Sequence, residues 1–334
     1  MSVETRRIGP EAAPDLYAVV RAAFEGRQPL DPPADALAET VESLAAALAQ
    51  GPGGLLAYVD GEVVGGLLLD PVTTEHGDLM ALRRFGVVPG ARHHGVAHVL
   101  IGAAVEVARE LGLAGLTVLA RQELESNIGF WASNHFAEVG RQAPYVEMVR
   151  ALPTSAPAAD ADAMRALAGS LATVLRAGDL LVLSGELGAG KTTFTQGLGE
   201  GLGVRGGITS PTFVIARVHP SLVDGPALVH VDAYRLGGLD ELDDLDLDTS
   251  LDEAVTVVEW GAGVAEALAD DRLHVRITRT LGADALGADG GGTDEDADDP
   301  RTVEFVPVGT RWLGVALPGG LTGGLPAGSP GASG

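Results

Sequence analysis

The chain lacks cysteine entirely, has a single lysine among 22 basic residues, and draws only 4% of its 334 residues from the aromatic types. Without cysteine there are no disulfides, thiolate metal sites or cysteine nucleophiles, which fits a reducing compartment. No stretch reaches the roughly 20 apolar residues of a membrane helix, and the N-terminus lacks the apolar core of a signal peptide. We therefore expect a cytoplasmic protein that does not contact a membrane.

The net charge is −24, whereas direct binding of a nucleic-acid backbone normally needs a basic surface. Any contact with RNA is therefore expected to be indirect, through a partner. The length and the 46% hydrophobic content indicate two globular domains. We predict a first domain over 1–150, a linker over 151–162 and a second domain over 163–317. A disordered insertion over 282–299 and a disordered tail over 318–334 complete the prediction.

The single lysine, Lys191, lies in the sequence GELGAGKTT, which fits the P-loop pattern GxxxxGK[ST]. A strand is predicted before this loop and an apolar helix after it. In such loops backbone N–H groups surround phosphate oxygens, the lysine reaches the β- and γ-phosphates, and the following hydroxyl binds Mg²⁺. The motif therefore predicts that this loop binds the phosphates of a nucleoside triphosphate.

Two apolar strands, LVHVD and VTVVE, end in the acids Asp232 and Glu259. These acids could complete a magnesium site, or each could simply cap a helix or solvate a strand end. Trp260 follows Glu259, and its role stays open. The acidic stretch 240–253 is interpreted as a solvated surface, with partner docking as the alternative.

GELGAGKTT, SPTF at 210–213, HVDAYRL at 230–236 and VVEW at 257–260 together resemble the TsaE (YjeE) ATPase family of tRNA threonylcarbamoyladenosine biosynthesis. The resemblance covers about 155–317. It implies a P-loop ATPase that acts with TsaB and TsaD and supports modification of adenosine 37 of tRNA. It also implies catalytic roles for Lys191, Asp232 and Glu259, and Mg²⁺ ligation by Thr192 and Glu259. The residues that it implies for ATP binding are Gly185, Glu186, Leu187, Gly188, Ala189, Gly190, Lys191, Thr192 and Thr193. A small-molecule kinase and an ATP-switched adaptor remain as alternatives.

In the first half, helices are predicted at 14–24 and 35–49, followed by strands that flank the Asp60–Gly61 turn. The order of strand, two helices, three strands, helix, strand, helix and two strands resembles the GNAT acetyltransferases. The expected fold class is thus α/β: a P-loop NTPase domain with a mixed or parallel sheet, preceded by a GNAT-like α+β domain. The family binds acetyl-CoA at the start of the long helix, here at Val88, Arg92, His93, Gly95, Val96 and Ala97.

The first half departs from the GNAT pattern at Trp131, which occupies the position of the family's proton-donating tyrosine. Glu125, Asn127 and His135 are nearby candidates for other roles. His93 and His94 are adjacent at a helix start and therefore point apart, which argues against a metal pair. Three alternatives follow for this half: an acetyltransferase of an unidentified amine, a degenerate CoA-binding module, or a protein-interaction domain.

Overall fold

The computed structural model describes residues 2–25, 33, 35–211, 216–235, 252–261, 263, 265, 268–279 and 300–320. Within these residues the strands form two sheets of seven, one built from residues 3–151 and the other from residues 154–308. No helix of the described part is both long and apolar enough to cross a membrane.

The first sheet has the order β1-β2-β3-β4-β5-β7-β6. All of its neighbours are antiparallel except β4 and β5. Its strands are β1 (Val3–Ile8), β2 (Gly54–Val59), β3 (Glu62–Thr74), β4 (Gly77–Val87), β5 (Gly115–Arg121), β6 (Ala137–Gln142) and β7 (Tyr145–Ala151).

The parallel pair of strands separates along its length. β4 and β5 are paired only where Leu79–Ala81 faces Gly115–Thr117, although both strands continue beyond that point. Backbone groups beyond the pairing therefore border an opening in the middle of the sheet.

Four helices pack on this sheet: α1 (Ala13–Phe24), α2 (Val41–Ala49), α3 (Val96–Glu110) and α4 (Glu125–Ser133). The helix predicted over 35–49 is wrong in its first turn. Residues Asp35–Ala38 form a 3₁₀ turn, and α2 starts after Thr40, whose hydroxyl accepts from the Ser43 N–H while the Ser43 hydroxyl accepts from the Thr40 N–H. This reciprocal cap satisfies donors at the helix start and fixes where the helix begins.

The second sheet has the order β10-β11-β12-β9-β13-β14-β8. Its four central strands are parallel and its three outer strands pair antiparallel, so the predicted mixed sheet is confirmed. The strands are β8 (Thr154–Ala158), β9 (Leu180–Ser184), β10 (Ala216–His219), β11 (Ala227–Asp232), β12 (Ala254–Glu259), β13 (Arg272–Arg279) and β14 (Arg301–Val308).

Two helices, α5 (Ala161–Ala172) and α6 (Lys191–Leu202), cover one face of this sheet. Alternation along β9 sends Leu181 and Leu183 toward these helices and Leu180 and Val182 to the opposite face. The helices pack closely at Gly197, where a Cβ atom would lie 2.3 Å from the carbonyl oxygen of Arg165. Only glycine fits there.

The segment predicted as a linker contains an ordered strand instead. β8 pairs with β14 at the edge of the second sheet, and only Leu152 and Pro153 separate it from β7 of the first. The Pro and Ala content suggested a linker, but a proline is tolerated on an edge strand because its missing N–H faces no partner. Of the tail predicted as disordered over 318–334, residues 318–320 are ordered, and the Thr154 hydroxyl donates to the Pro318 carbonyl oxygen over 2.7 Å. The rest of that tail lies outside the described residues, as do 282–299, 212–213, 236 and 240–251, about which predictions were also made.

Candidate nucleotide-binding and acyl-CoA sites

The P-loop connects the end of β9 to the start of α6, as the motif predicts. Gly190 has φ of 106°, a left-handed conformation that favours glycine, and it directly precedes Lys191 at the start of the helix. The first N–H groups of a helix have no intrahelical acceptors, so this turn presents free donors and a positive dipole end toward the loop. The Arg301 side chain on β14 steadies the loop by donating to the Ala189 carbonyl oxygen over 3.1 Å.

The Lys191 side chain folds back onto its own loop and is only 5% exposed. Its Nζ donates to the carbonyl oxygens of Gly185 at 2.9 Å and Glu186 at 3.0 Å. Burial lowers the pKa of this ammonium, and the nearby carboxylates of Glu259 and Asp232 oppose the shift. The two loop carbonyls thus accept hydrogen bonds from the Lys191 ammonium, whose N–H groups would otherwise bind phosphate oxygens.

The acids Asp232 and Glu259 lie side by side, because β11 and β12 are parallel and these two residues are paired in register. They are 4% and 3% exposed. The Thr192 hydroxyl donates to Glu259 Oε1 over 3.2 Å, and the Ser210 hydroxyl donates to Asp232 Oδ2 over 3.0 Å. Mg²⁺ prefers oxygen ligands, and carboxylate and hydroxyl oxygens lie together here beside a phosphate loop. The residues present therefore fit this ion.

His230 is a site residue that the sequence reasoning missed. It is fully buried on β11, and its Nε2 lies 2.8 Å from Glu259 Oε1. In the tautomer that donates from Nε2, this contact holds the carboxylate in place while Thr192 contacts the same oxygen. The signal was the period of two along the strand, which turns His230 and Asp232 to the same face.

Trp260 covers the lysine. Its ring centroid lies 3.7 Å from Lys191 Nζ, and its backbone φ is 61°, unusual for a bulky residue. The Tyr234 ring meets it edge-on, with the centroids 5.4 Å apart. The two aromatic side chains therefore lie beside the P-loop, with Trp260 directly over the ammonium group.

The first domain contains a cavity of about 1340 Å³ at the opening between β4 and β5. Five of the six residues predicted to bind acetyl-CoA line it, namely Arg92, His93, Gly95, Val96 and Ala97. Val88 instead lines a smaller cavity together with His94. The large cavity therefore opens onto the start of α3, where helix N–H groups and a guanidinium meet.

Trp131 does not replace the missing tyrosine. It is 5% exposed and packs edge-on against Phe85, Phe130 and Phe136, with centroid distances of 5.0, 5.1 and 5.0 Å. Trp131 also lies on the cavity wall, as does Asn127 of the other predicted candidates. The imidazole of His135 lies beside His274 of β13, with ring centroids 6.0 Å apart.

Comparison with known proteins assigns each half. The family model "Threonylcarbamoyl adenosine biosynthesis protein TsaE" matches residues 158–284, and "Acetyltransferase (GNAT) family" matches residues 14–136.

Several curated relatives, including those from Streptomyces coelicolor and Bacillus subtilis, carry the name tRNA threonylcarbamoyladenosine biosynthesis protein TsaE. The one from Streptomyces coelicolor is 63% identical over 150 residues, which are 45% of this chain and 93% of the relative. The one from Bacillus subtilis is 38% identical over 150 residues, 44% of this chain and 82% of the relative. A solved structure of the PaiA N-acetyltransferase from Thermoplasma acidophilum in complex with coenzyme A aligns with a TM-score of 0.39 at 16% identity. That alignment covers 45% of this chain and 99% of the other.

The family-model match over residues 14–136 shows that the first half has a GNAT-like fold. The second half has a P-loop NTPase fold, and through this half the chain belongs to the TsaE family of threonylcarbamoyl adenosine biosynthesis proteins.

Proposed function

We propose that the chain is an ATPase that supports threonylcarbamoylation of adenosine 37 in tRNA together with TsaB and TsaD, in the cytoplasm. The observation that carries this proposal is the convergence of Lys191, Thr192, Asp232 and Glu259 at the ends of β9, β11 and β12. Family membership through residues 158–284 supplies the pathway. The proposed domains are the acetyltransferase-like unit over 1–150 and the ATPase unit over 163–317, extended by β8 and the start of α5.

Hydrolysis requires neutralisation of charge on the phosphates and a positioned water. The N–H groups at the start of α6 and the Lys191 ammonium provide positive potential once the lysine leaves the loop carbonyls. Thr192 and Glu259 would hold Mg²⁺, which supplies further charge neutralisation, while His230 keeps the Glu259 carboxylate oriented. Either Asp232 or Glu259 positions the attacking water.

The partners are expected to contact the tRNA, because a chain with net charge −24 is poorly suited to bind a nucleic-acid backbone directly. Phosphate release from ATP should rise when TsaB and TsaD are added, and Glu259→Ala should abolish that release while ATP still binds. Transfer of phosphate to an acceptor would support a kinase, and unchanged slow turnover with the partners would support an adaptor.

The decisive experiment measures threonylcarbamoyladenosine in tRNA from cells whose only copy of this chain is a variant. Lys191→Arg should lose the modification, because a planar guanidinium cannot replace a compact ammonium between phosphates. Arg92→Ala, in the cavity of the other domain, is the matched control and should retain it. Modification at the wild-type level in Lys191→Arg would refute the proposal.

We also propose that the first domain is an acyl-CoA-dependent N-acetyltransferase. The supporting observation is the cavity that opens onto the N-terminus of α3, with Arg92 and His93 on its wall. Coenzyme A should bind the full chain, and Arg92→Glu should weaken binding at least tenfold. Absence of coenzyme A binding in calorimetry would leave only a protein-interaction role.

A further inference from the structure

The large cavity of the first domain is lined by two chemically different groups of residues, which we call its two ends. One end is formed by the start of α3, with Arg92 and His93. The other end is formed by the strands β5 and β7, where Leu119, Tyr145 and Glu147 line the wall. The first end suits an anionic pyrophosphate, so the second is the end available to the molecule that accepts the acyl group.

Most charges on the cavity wall are already neutralised by ion pairs. The pairs are Arg83 with Asp70 at 2.7 Å, Arg84 with Glu39 at 2.6 Å, Arg121 with Glu123 at 2.7 Å, and Arg21 with Glu25. Glu147 lines the same wall. It differs because its carboxylate forms no hydrogen bond or ion pair with a side chain among the described residues. Asp35, the other unpaired acid on the wall, is exposed. The half-buried Glu147 is therefore the acid at this end with free capacity to bind a cation.

The fold places Glu147 beside the opening in the sheet. It is paired in register with Leu119 of β5, the strand that separates from β4, and with Gly140 of β6. Alternation along β7 turns Glu147 and Tyr145 to the same side of the sheet. A carboxylate thus stands on the wall next to the point where the two parallel strands diverge.

At the position where the GNAT family's tyrosine is expected, the cavity wall has no side chain that exchanges protons. Trp131 occupies that position, and its ring is packed among three phenylalanines. An indole N–H is a hydrogen-bond donor only and does not exchange protons in this role. Proton transfer in this cavity must use residues elsewhere, and β7 supplies a carboxylate.

We propose that Glu147 binds and deprotonates the acceptor, which is a primary amine that arrives as an ammonium ion. This assignment rests on the proposed acetyltransferase function. The ammonium gives one proton to the Glu147 carboxylate, and the resulting amine attacks the acyl carbonyl carbon of acyl-CoA. The C–N bond forms, the C–S bond breaks, and the second proton lost by nitrogen ends on the CoA sulfur.

The test uses CoA derivatives in place of the unidentified acceptor. Three S-(ω-aminoalkyl)-CoA thioethers, with chains of two, three and four carbons, carry an ammonium group toward the acceptor end. The S-alkyl-CoA thioethers of equal length are the uncharged comparison. Dissociation constants are measured by calorimetry on the full chain, as wild type, Glu147→Gln and Asp70→Asn.

In the wild type, at least one ammonium derivative should bind about tenfold more tightly than its alkyl counterpart, as expected for a charge-assisted contact. Glu147→Gln should remove this preference without changing the affinity for CoA itself. Asp70→Asn should retain the preference, because that carboxylate is already paired with Arg83.

Two results would overturn the assignment while the CoA site stands: equal binding of ammonium and alkyl derivatives at all three lengths, or an undiminished preference in Glu147→Gln. If CoA itself does not bind, the proposed acetyltransferase function fails and the assignment fails with it. The different readouts therefore separate the two failures.

Discussion

The buried contact between His230 and Glu259 predicts a specific defect in magnesium dependence. His230 is fully buried, Glu259 is 3% exposed, and 2.8 Å separates Nε2 from Oε1. In His230→Ala, the Thr192 hydroxyl is the remaining hydrogen-bond partner of the Glu259 carboxylate among the described residues. Hydrogen bonds to charged groups contribute about 1.5–3 kcal/mol. The free energy of unfolding should fall by about that amount.

The same change should weaken the magnesium site. A loss of orientation worth about 1.4 kcal/mol corresponds to a factor of ten, and outer-shell partners of metal ligands typically affect affinity about 10–100-fold. We therefore expect the Mg²⁺ concentration for half-maximal ATP hydrolysis to rise by about 10–100-fold in His230→Ala. His230→Gln should recover part of this loss, because its amide N–H can donate to Glu259.

The assay is phosphate release at saturating ATP over a magnesium titration, with urea unfolding measured in parallel. His219→Ala is the matched control: His219 is a buried histidine on the neighbouring strand β10, and its Nε2 has no hydrogen-bond partner among the described residues. Its magnesium dependence should match that of the wild type. An unchanged titration in His230→Ala, or an equal shift in His219→Ala, would refute the role of His230.

Three further predictions concern stability. Arg311→Ala should lower the free energy of unfolding, measured in urea titrations, by about 3–5 kcal/mol. It removes the two hydrogen bonds of 2.8 and 2.9 Å from the guanidinium to the Asp179 carboxylate and leaves that carboxylate buried without its cation. A loss below about 1 kcal/mol would contradict this. Trp131→Ala should cost about 3–5 kcal/mol, whereas Trp131→Tyr should add no acetyl transfer, because this position lies in the aromatic cluster. Burial lowers the pKa of His135 to about 4, with Arg150 and His274 adding to the shift. The folded chain therefore binds fewer protons than the unfolded chain below pH 6.5, so stability should fall as the pH drops from about 6.5 toward 4. His135→Gln should reduce that slope, and an identical slope would exclude His135 as its source.

The phosphate site could be predicted from the sequence because its signal is local. Strand, glycine loop and helix follow one another in 180–202. Lys191 within this loop is the only lysine in the sequence. The sequence also predicted that two apolar strands end in Asp232 and Glu259. The structure adds that these strands are parallel neighbours, so their carboxyl ends meet at one edge of the sheet. These features depend on neighbouring residues or on a general rule of topology.

The features that escaped prediction depend on contacts between distant parts of the chain. His230 reads as an ordinary core residue until β12 places Glu259 beside it. Glu147 is recognised as a cavity residue only from the strand order β5-β7-β6, which places it beside Leu119 and the opening between β4 and β5. β8 was taken for a linker because of its Pro and Ala content. Its only partner strand among the described residues is β14, whose residues follow it by more than 140 positions in the chain.

The short connection between the sheets determines which experiments can separate the two proposed activities. Ala151 packs in the core of the second domain and Leu152 packs against the core of the first, while Arg109 of α3 donates to the Pro153 carbonyl oxygen over 2.7 Å. Removal of residues 1–150 would therefore strip β7 and Arg109 from the start of β8. Loss of tRNA modification after such a truncation would not distinguish an acetyltransferase requirement from a damaged ATPase sheet. Point variants such as Glu147→Gln and Lys191→Arg each change one site while β7, β8 and their contacts stay in place.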